Sequence, residues 1–135
     1  MFLYPLITDL IKYKAFLFLS KRKLSLHHRT CFMKLIELNM EKIYELCRKY
    51  KVKTLSVFGS ILTDRFNDES DVDLLVNFLP YNRDSLEFDY VRNYFDLQES
   101  LESLFGRKVD LIEDGDHLNP LFRKFVYAKK RLIYG

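Results

Sequence analysis

Ser56-Val57-Phe58-Gly59-Ser60 is followed by ten residues, Ile61 to Ser70, and then by Asp71-Val72-Asp73-Leu74-Leu75-Val76. An apolar run ends in a small, flexible pair, and a second apolar run opens with carboxylates at i and i+2. On a strand those two positions share a face. Two carboxylates about 7 Å apart on one face repel unless a cation stands between them. A divalent metal does that, and a carboxylate-held metal commonly holds a nucleotide's phosphates. Gly59 lacks a Cβ, so the backbone can turn sharply and approach a ligand closely. Ser60 offers a hydroxyl and a backbone N–H. A helix starting after Ser60 would add its positive end. Each half alone reads as a turn or a solvated strand mouth. Jointly, the pattern arises by chance on the order of once in a thousand chains of this length.

The pattern resembles the signature of the DNA polymerase β-like nucleotidyltransferase superfamily, in particular its minimal nucleotidyltransferase branch. The resemblance covers roughly Asn39 to Gly135. It implies that Gly59 and Ser60 grip the β- and γ-phosphates of ATP. It implies that Asp71 and Asp73 hold two Mg²⁺ ions and that a later strand supplies a third carboxylate. Lys108-Val109-Asp110-Leu111-Ile112 fits that strand and Asp110 that carboxylate, as a metal ligand, a proton acceptor or both. Glu113 and Asp114 compete for the role. Three close carboxylates should titrate as a coupled set, some raised when metal is absent. One departure stands out. Many members carry arginines just after the Gly-Ser pair, where this chain has Ile61, Leu62, Thr63 and Asp64, with Arg65 one step on.

The implied reaction is attack of an acceptor hydroxyl on the α-phosphorus, expelling pyrophosphate. Relatives that modify antibiotics or RNA carry an extra domain for the acceptor. The core read here, residues 33–135, holds none, so the acceptor is expected on another molecule. The resemblance implies a HEPN-type toxin whose tyrosine receives AMP, this chain being the antitoxin. A hetero-oligomer and a homodimer both stay open. So do two other readings: a non-catalytic partner-binding module, and a transferase for a small molecule of the aminoglycoside type.

Composition bounds these readings. A chain of 135 residues, 48% hydrophobic and 16% aromatic, suits one globular domain. The net charge of +3 is uneven: residues 1–32 hold six basic groups and one acid, and the other 103 hold 16 basic and 18 acidic. The main part is therefore no strong nucleic-acid binder by charge. Its basicity is local, at Arg123, Lys124, Lys129, Lys130 and Arg131. Residues 1–32 lack an uninterrupted apolar span of about 20 residues, so no membrane helix is expected there. No basic n-region precedes the apolar run, so no signal peptide is expected. That segment reads as an N-terminal extension, outside the native coding sequence if translation starts at Met33 or Met40. Cys31 and Cys47 are expected as reduced thiols in a cytoplasmic protein. Arg22 and His27 match the R-x4-H spacing of HEPN RNases without the helical domain that motif needs. His117 reads as a solvated loop residue, and the tyrosines at 81, 90 and 94 as packing.

Periodicity gives the element order. The stripe Ile43, Leu46, Cys47, Tyr50 predicts a helix over 39–50, capped by Asn39. Strands are expected over 53–58, 71–78 and 108–112, with a short helix over 61–64. Asp84 or Ser85 should cap a long helix carrying Val91, Phe95, Leu97, Leu101, Leu104 and Phe105, ended by Gly106. Asn119-Pro120 should open a last helix, and Arg131 to Tyr134 a short strand. The class is α/β (α+β): a small mixed sheet flanked by helices, with no repeats.

Overall fold

A computed structural model describes residues 34–82, 84–85 and 89–135. The alternative starts at Met33, the Arg22–His27 spacing, Cys31 and the absent N-terminal span lie wholly or partly outside those residues. Helix α1, Met40–Lys49, turns Met40, Ile43 and Cys47 inward. Strand β1, Val52–Phe58, runs antiparallel to β2, Val72–Phe78. Helix α2, Tyr90–Phe105, is the crossover that a parallel partner requires, and β3, Val109–Glu113, lies parallel to β2. Helix α3, Pro120–Lys129, leads into β4, Arg131–Tyr134, which returns antiparallel to β1. The sheet order is β3-β2-β1-β4, the mixed sheet that the periodicity predicts.

Strand alternation divides the apolar residues between two faces. Leu55, Val57, Val72, Leu74, Val76, Val109, Leu111 and Ile133 pack with α1 and with Leu97, Leu101 and Phe105 of α2. Phe58 and Leu75 meet Val126 of α3 on the other face, with Ile112, Leu118 and Phe122 beside them. The apolar stripe of α2 is narrower than its sequence suggests, because Val91 and Phe95 stay exposed. On α3, Leu121 and Phe125 are exposed too. No helix among the described residues is long and apolar enough to cross a membrane.

Three local expectations fail for identifiable reasons. Asn39 does not cap α1. A 3-10 turn over Glu37–Asn39 runs straight into the helix, and the Asn39 amide donates to Leu35 O at 2.9 Å. The cap of α2 is Asp89, whose Oδ1 accepts from Arg92 N–H at 3.0 Å. Asn82 draws the expected start into a turn: its Oδ1 accepts from Asp84 N–H at 3.0 Å, and its carbonyl from Ser85 N–H at 3.1 Å. The helix expected over 61–64 is one 3-10 turn, Gly59–Leu62. Thr63 closes it, since both its N–H and its hydroxyl donate to Ser60 O at 2.8 Å, and its own backbone is extended. Gly106 and Asn119 do act as expected. Gly106 sits at φ +63 and donates to Glu102 O, and Asn119 Oδ1 accepts from Leu121 N–H at 2.9 Å.

The outer edge of β3 is occupied. Tyr90, Tyr94, Gln98 and Glu102 recur every four residues along α2, so they form one row. Tyr94 O–H donates to the Leu111 carbonyl, and Gln98 Nε2 to the Val109 carbonyl at 3.0 Å. Glu102 Oε1 accepts from Val109 N–H at 3.1 Å, and Tyr90 O–H donates to the Glu113 carboxylate.

Candidate active site

Two strand registers and one turn assemble the site. Antiparallel pairing sets Phe58 opposite Asp73, so β1 delivers the Gly59 turn to the carboxylate end of β2. Parallel pairing sets Asp73 beside Asp110. Gly59 adopts φ +76, and a Cβ there would lie 2.1 Å from Asp73 Oδ2. No other residue fits without moving that carboxylate. The Ser60 backbone N–H hydrogen-bonds Asp73. The pair is therefore one unit, with the turn seated on the aspartate.

The electrostatics are unbalanced. Burial pushes the half-buried Asp73 carboxyl up to about 6; the Asp110 charge and then the Asp71 charge add to this, and the Ser60 N–H opposes it. Asp71 is exposed just before β2, with its Oδ2 4.0 Å from Lys108 Nζ. As the side chains stand, no three acidic, histidine or cysteine groups among the described residues converge in metal-ligand geometry. The donor set is nonetheless the hard-oxygen set that Mg²⁺ takes. The like-charge crowding on Asp73 is what a bound cation would relieve, and the residues fit a divalent metal on both counts.

The competitors of Asp110 are spoken for. Asp114 is buried and accepts from Asn77 Nδ2 at 3.2 Å and from Tyr127 O–H. Its Oδ1 has no hydrogen bond and is answered by Arg123 Nε at 3.5 Å. Glu113 is engaged by Tyr90. Asp110 stays exposed beside Asp73. His117 is exposed and lies with Tyr90, Tyr94, Phe95 and Ile112 around a shallow pocket of about 410 Å³ that does not include the Gly59 turn.

A larger cleft, about 830 Å³, opens at that turn. Gly59, Ser60 and Arg65 line one side, and the end of α3 with the start of β4 lines the other, bringing Lys129, Lys130 and Arg131. The sequence shows this basic run but not its placement. Only the return of β4 beside β1 brings it to the turn.

Comparison with known proteins agrees with this fold. The family described as Polymerase beta, Nucleotidyltransferase matches residues 41–135. A candidate protein adenylyltransferase of Methanocaldococcus jannaschii is 38% identical over 89 residues, which is 66% of this chain and 82% of that protein. A solved structure described as a candidate minimal nucleotidyltransferase superposes with a TM-score of 0.57 at 25% identity, covering 73% of this chain and 93% of that one. A toxin-antitoxin structure with AMP-PNP shares the fold, with a TM-score of 0.54 at 24% identity over 72% of this chain and 73% of that one.

Proposed function

This chain belongs to the Polymerase beta nucleotidyltransferase family, and from that premise we propose that it is a protein adenylyltransferase moving AMP from ATP to a tyrosine hydroxyl of a HEPN-type toxin, to which it is the antitoxin. The observation that carries the reading is the Gly59 turn seated on Asp73, with Asp110 beside it in register. The name of the Methanocaldococcus jannaschii relative supports a protein acceptor. The fold shared with a toxin-antitoxin structure fits a toxin partner and a hetero-oligomer.

Asp71, Asp73 and Asp110 would hold Mg²⁺, as two ions. When bound, such ions neutralise phosphate charge and lower the pKa of the acceptor hydroxyl. The chain supplies the rest. Gly59 leaves the space in which phosphate oxygens approach backbone N–H groups. Ser60 adds a hydroxyl at that turn. Asp110, exposed at the edge of the cluster, stands where it can take the proton of the incoming hydroxyl. The acceptor oxygen bonds to the α-phosphorus as the bond to the bridging oxygen breaks, and pyrophosphate leaves. The free, fully buried Cys47 thiol, pushed up to about 12 by burial, fits a reducing, cytoplasmic setting.

The test is label transfer from α-labelled ATP to the co-expressed partner toxin. Labelling of a toxin tyrosine, abolished by Asp71→Asn with Asp73→Asn, is the expected result. A toxin neutralised without any label would replace the enzyme by an occluding partner.

A further inference from the structure

The proposed chemistry leaves the cations of the large cleft unused, Arg131 among them. Arg131 is the first residue of β4 and pairs with Val57, two residues before Gly59. That offset is about 7 Å of strand, within reach of a long side chain. Arg131 lines the same cleft as Gly59 and Ser60. The two lysines there lie against aromatic rings, and Arg65 is on the open surface. Lys130 Nζ stands 3.6 Å from the Tyr127 ring centroid, and Lys129 Nζ 4.8 Å from that of Phe125. Arg131 is half-buried, and among the described residues no carboxylate answers it. Burial alone holds its guanidinium below the ordinary arginine range. A desolvated cation without an anion costs free energy in the empty protein, and an anionic ligand reverses that cost. Across the cleft, Ile61-Leu62-Thr63-Asp64 carries no basic side chain, and the Arg65 that follows is exposed.

We propose that Arg131 binds the β- and γ-phosphates of the nucleotide, gripping from β4 the leaving-group end of a triphosphate whose backbone contacts come from Gly59 and Ser60. The inference rests on the nucleotidyltransferase reading above. A planar guanidinium suits the task, because it pairs two phosphate oxygens at once, whereas an ammonium acts as a point charge. Arg131 is thus a positioning residue for the pyrophosphate, and the α-phosphate stays with the carboxylate cluster.

Equilibrium binding of ATP, tripolyphosphate and AMP to the full chain, with thermal melts as a check on folding, tests the proposal. Arg131→Gln should weaken ATP and tripolyphosphate by at least about tenfold while AMP binds as before, and Arg131→Lys should fall between. An Arg131→Gln chain that binds ATP like the wild type overturns the proposal alone. Equal weakening of AMP and ATP overturns it too, since that marks a structural arginine. A wild-type chain that binds none of the three overturns the nucleotidyltransferase reading beneath it.

Discussion

Asp73 carries the most chemistry per atom, and its protonation makes a prediction. Its carboxyl is raised from 3.8 to about 6 in the metal-free protein. A raised carboxylate binds more protons folded than unfolded, so metal-free stability should fall as pH climbs from about 4 to about 6. The loss then stays constant above that window. Solvent screening at this half-exposed site limits the effect to on the order of 1 kcal/mol. Asp73→Asn should therefore melt higher than the wild type at pH 7.5 without metal and equally at pH 4, by calorimetry. The same change should cost a hundredfold or more in transfer rate, about 3 kcal/mol. Gly59→Val should abolish ATP binding, through both positive φ and the clash with Asp73. Ser60→Ala should weaken it by about 1.5–3 kcal/mol, and titration calorimetry ranks the two. Gly59, Ser60, Asp71 and Asp73 are legible in the sequence because their spacing is local. Asp110 is less so. Alternation puts residues 110, 112 and 114 on one face, and only Tyr127, Arg123 and Asn77, remote in sequence, commit Asp114 elsewhere.

Elements were readable where one residue fixes the backbone and unreadable where neighbours compete. Gly106 and Asn119-Pro120 each impose a conformation, so those helix ends fall where expected. The start of α2 does not, because Asn82, Asp84, Ser85 and Asp89 are all competent caps and turn chemistry at Asn82 decides. Apolar content misleads at Val91 and Phe95, since exposure of single apolar residues is ordinary. Asn119→Ala should lower stability by about 1 kcal/mol through loss of the α3 cap, read by urea denaturation with an unchanged slope. An effect within error would mean that Pro120 alone sets the helix start.

At the scale of the molecule, the order of strands makes the site. The Gly59 turn, Asp73 and Asp110 come from three adjacent strands, and the basic wall of the cleft comes from the end of α3 and the start of the fourth strand. The core also sets how much of the N-terminus can be spared. Ile36 is fully buried against it, so a chain beginning at Met33 should fold and one beginning at Met40 should not reach the same stability. The deficit should be about 2–5 kcal/mol, the usual cost of emptying a large aliphatic site, measured by chemical denaturation of the two truncations. Equal stabilities would show that Ile36 packs without contributing. The row of side chains that α2 lays along β3 has a further consequence, for how copies of the protein behave in a crowded cell. An unpaired strand edge invites a stranger's strand, and a chain that accepts one can seed a fibre. Tyr94, Gln98 and Glu102 already answer the outward N–H and carbonyl of Val109 and the carbonyl of Leu111, so an invader would have to displace three side chains there. Among the described residues, the other sheet edge is the four residues of β4, which begin with a charge. Tyr94→Phe with Gln98→Leu should keep the fold by circular dichroism yet shorten the lag of thioflavin-detected aggregation, as the molecule loses its guard against self-templating.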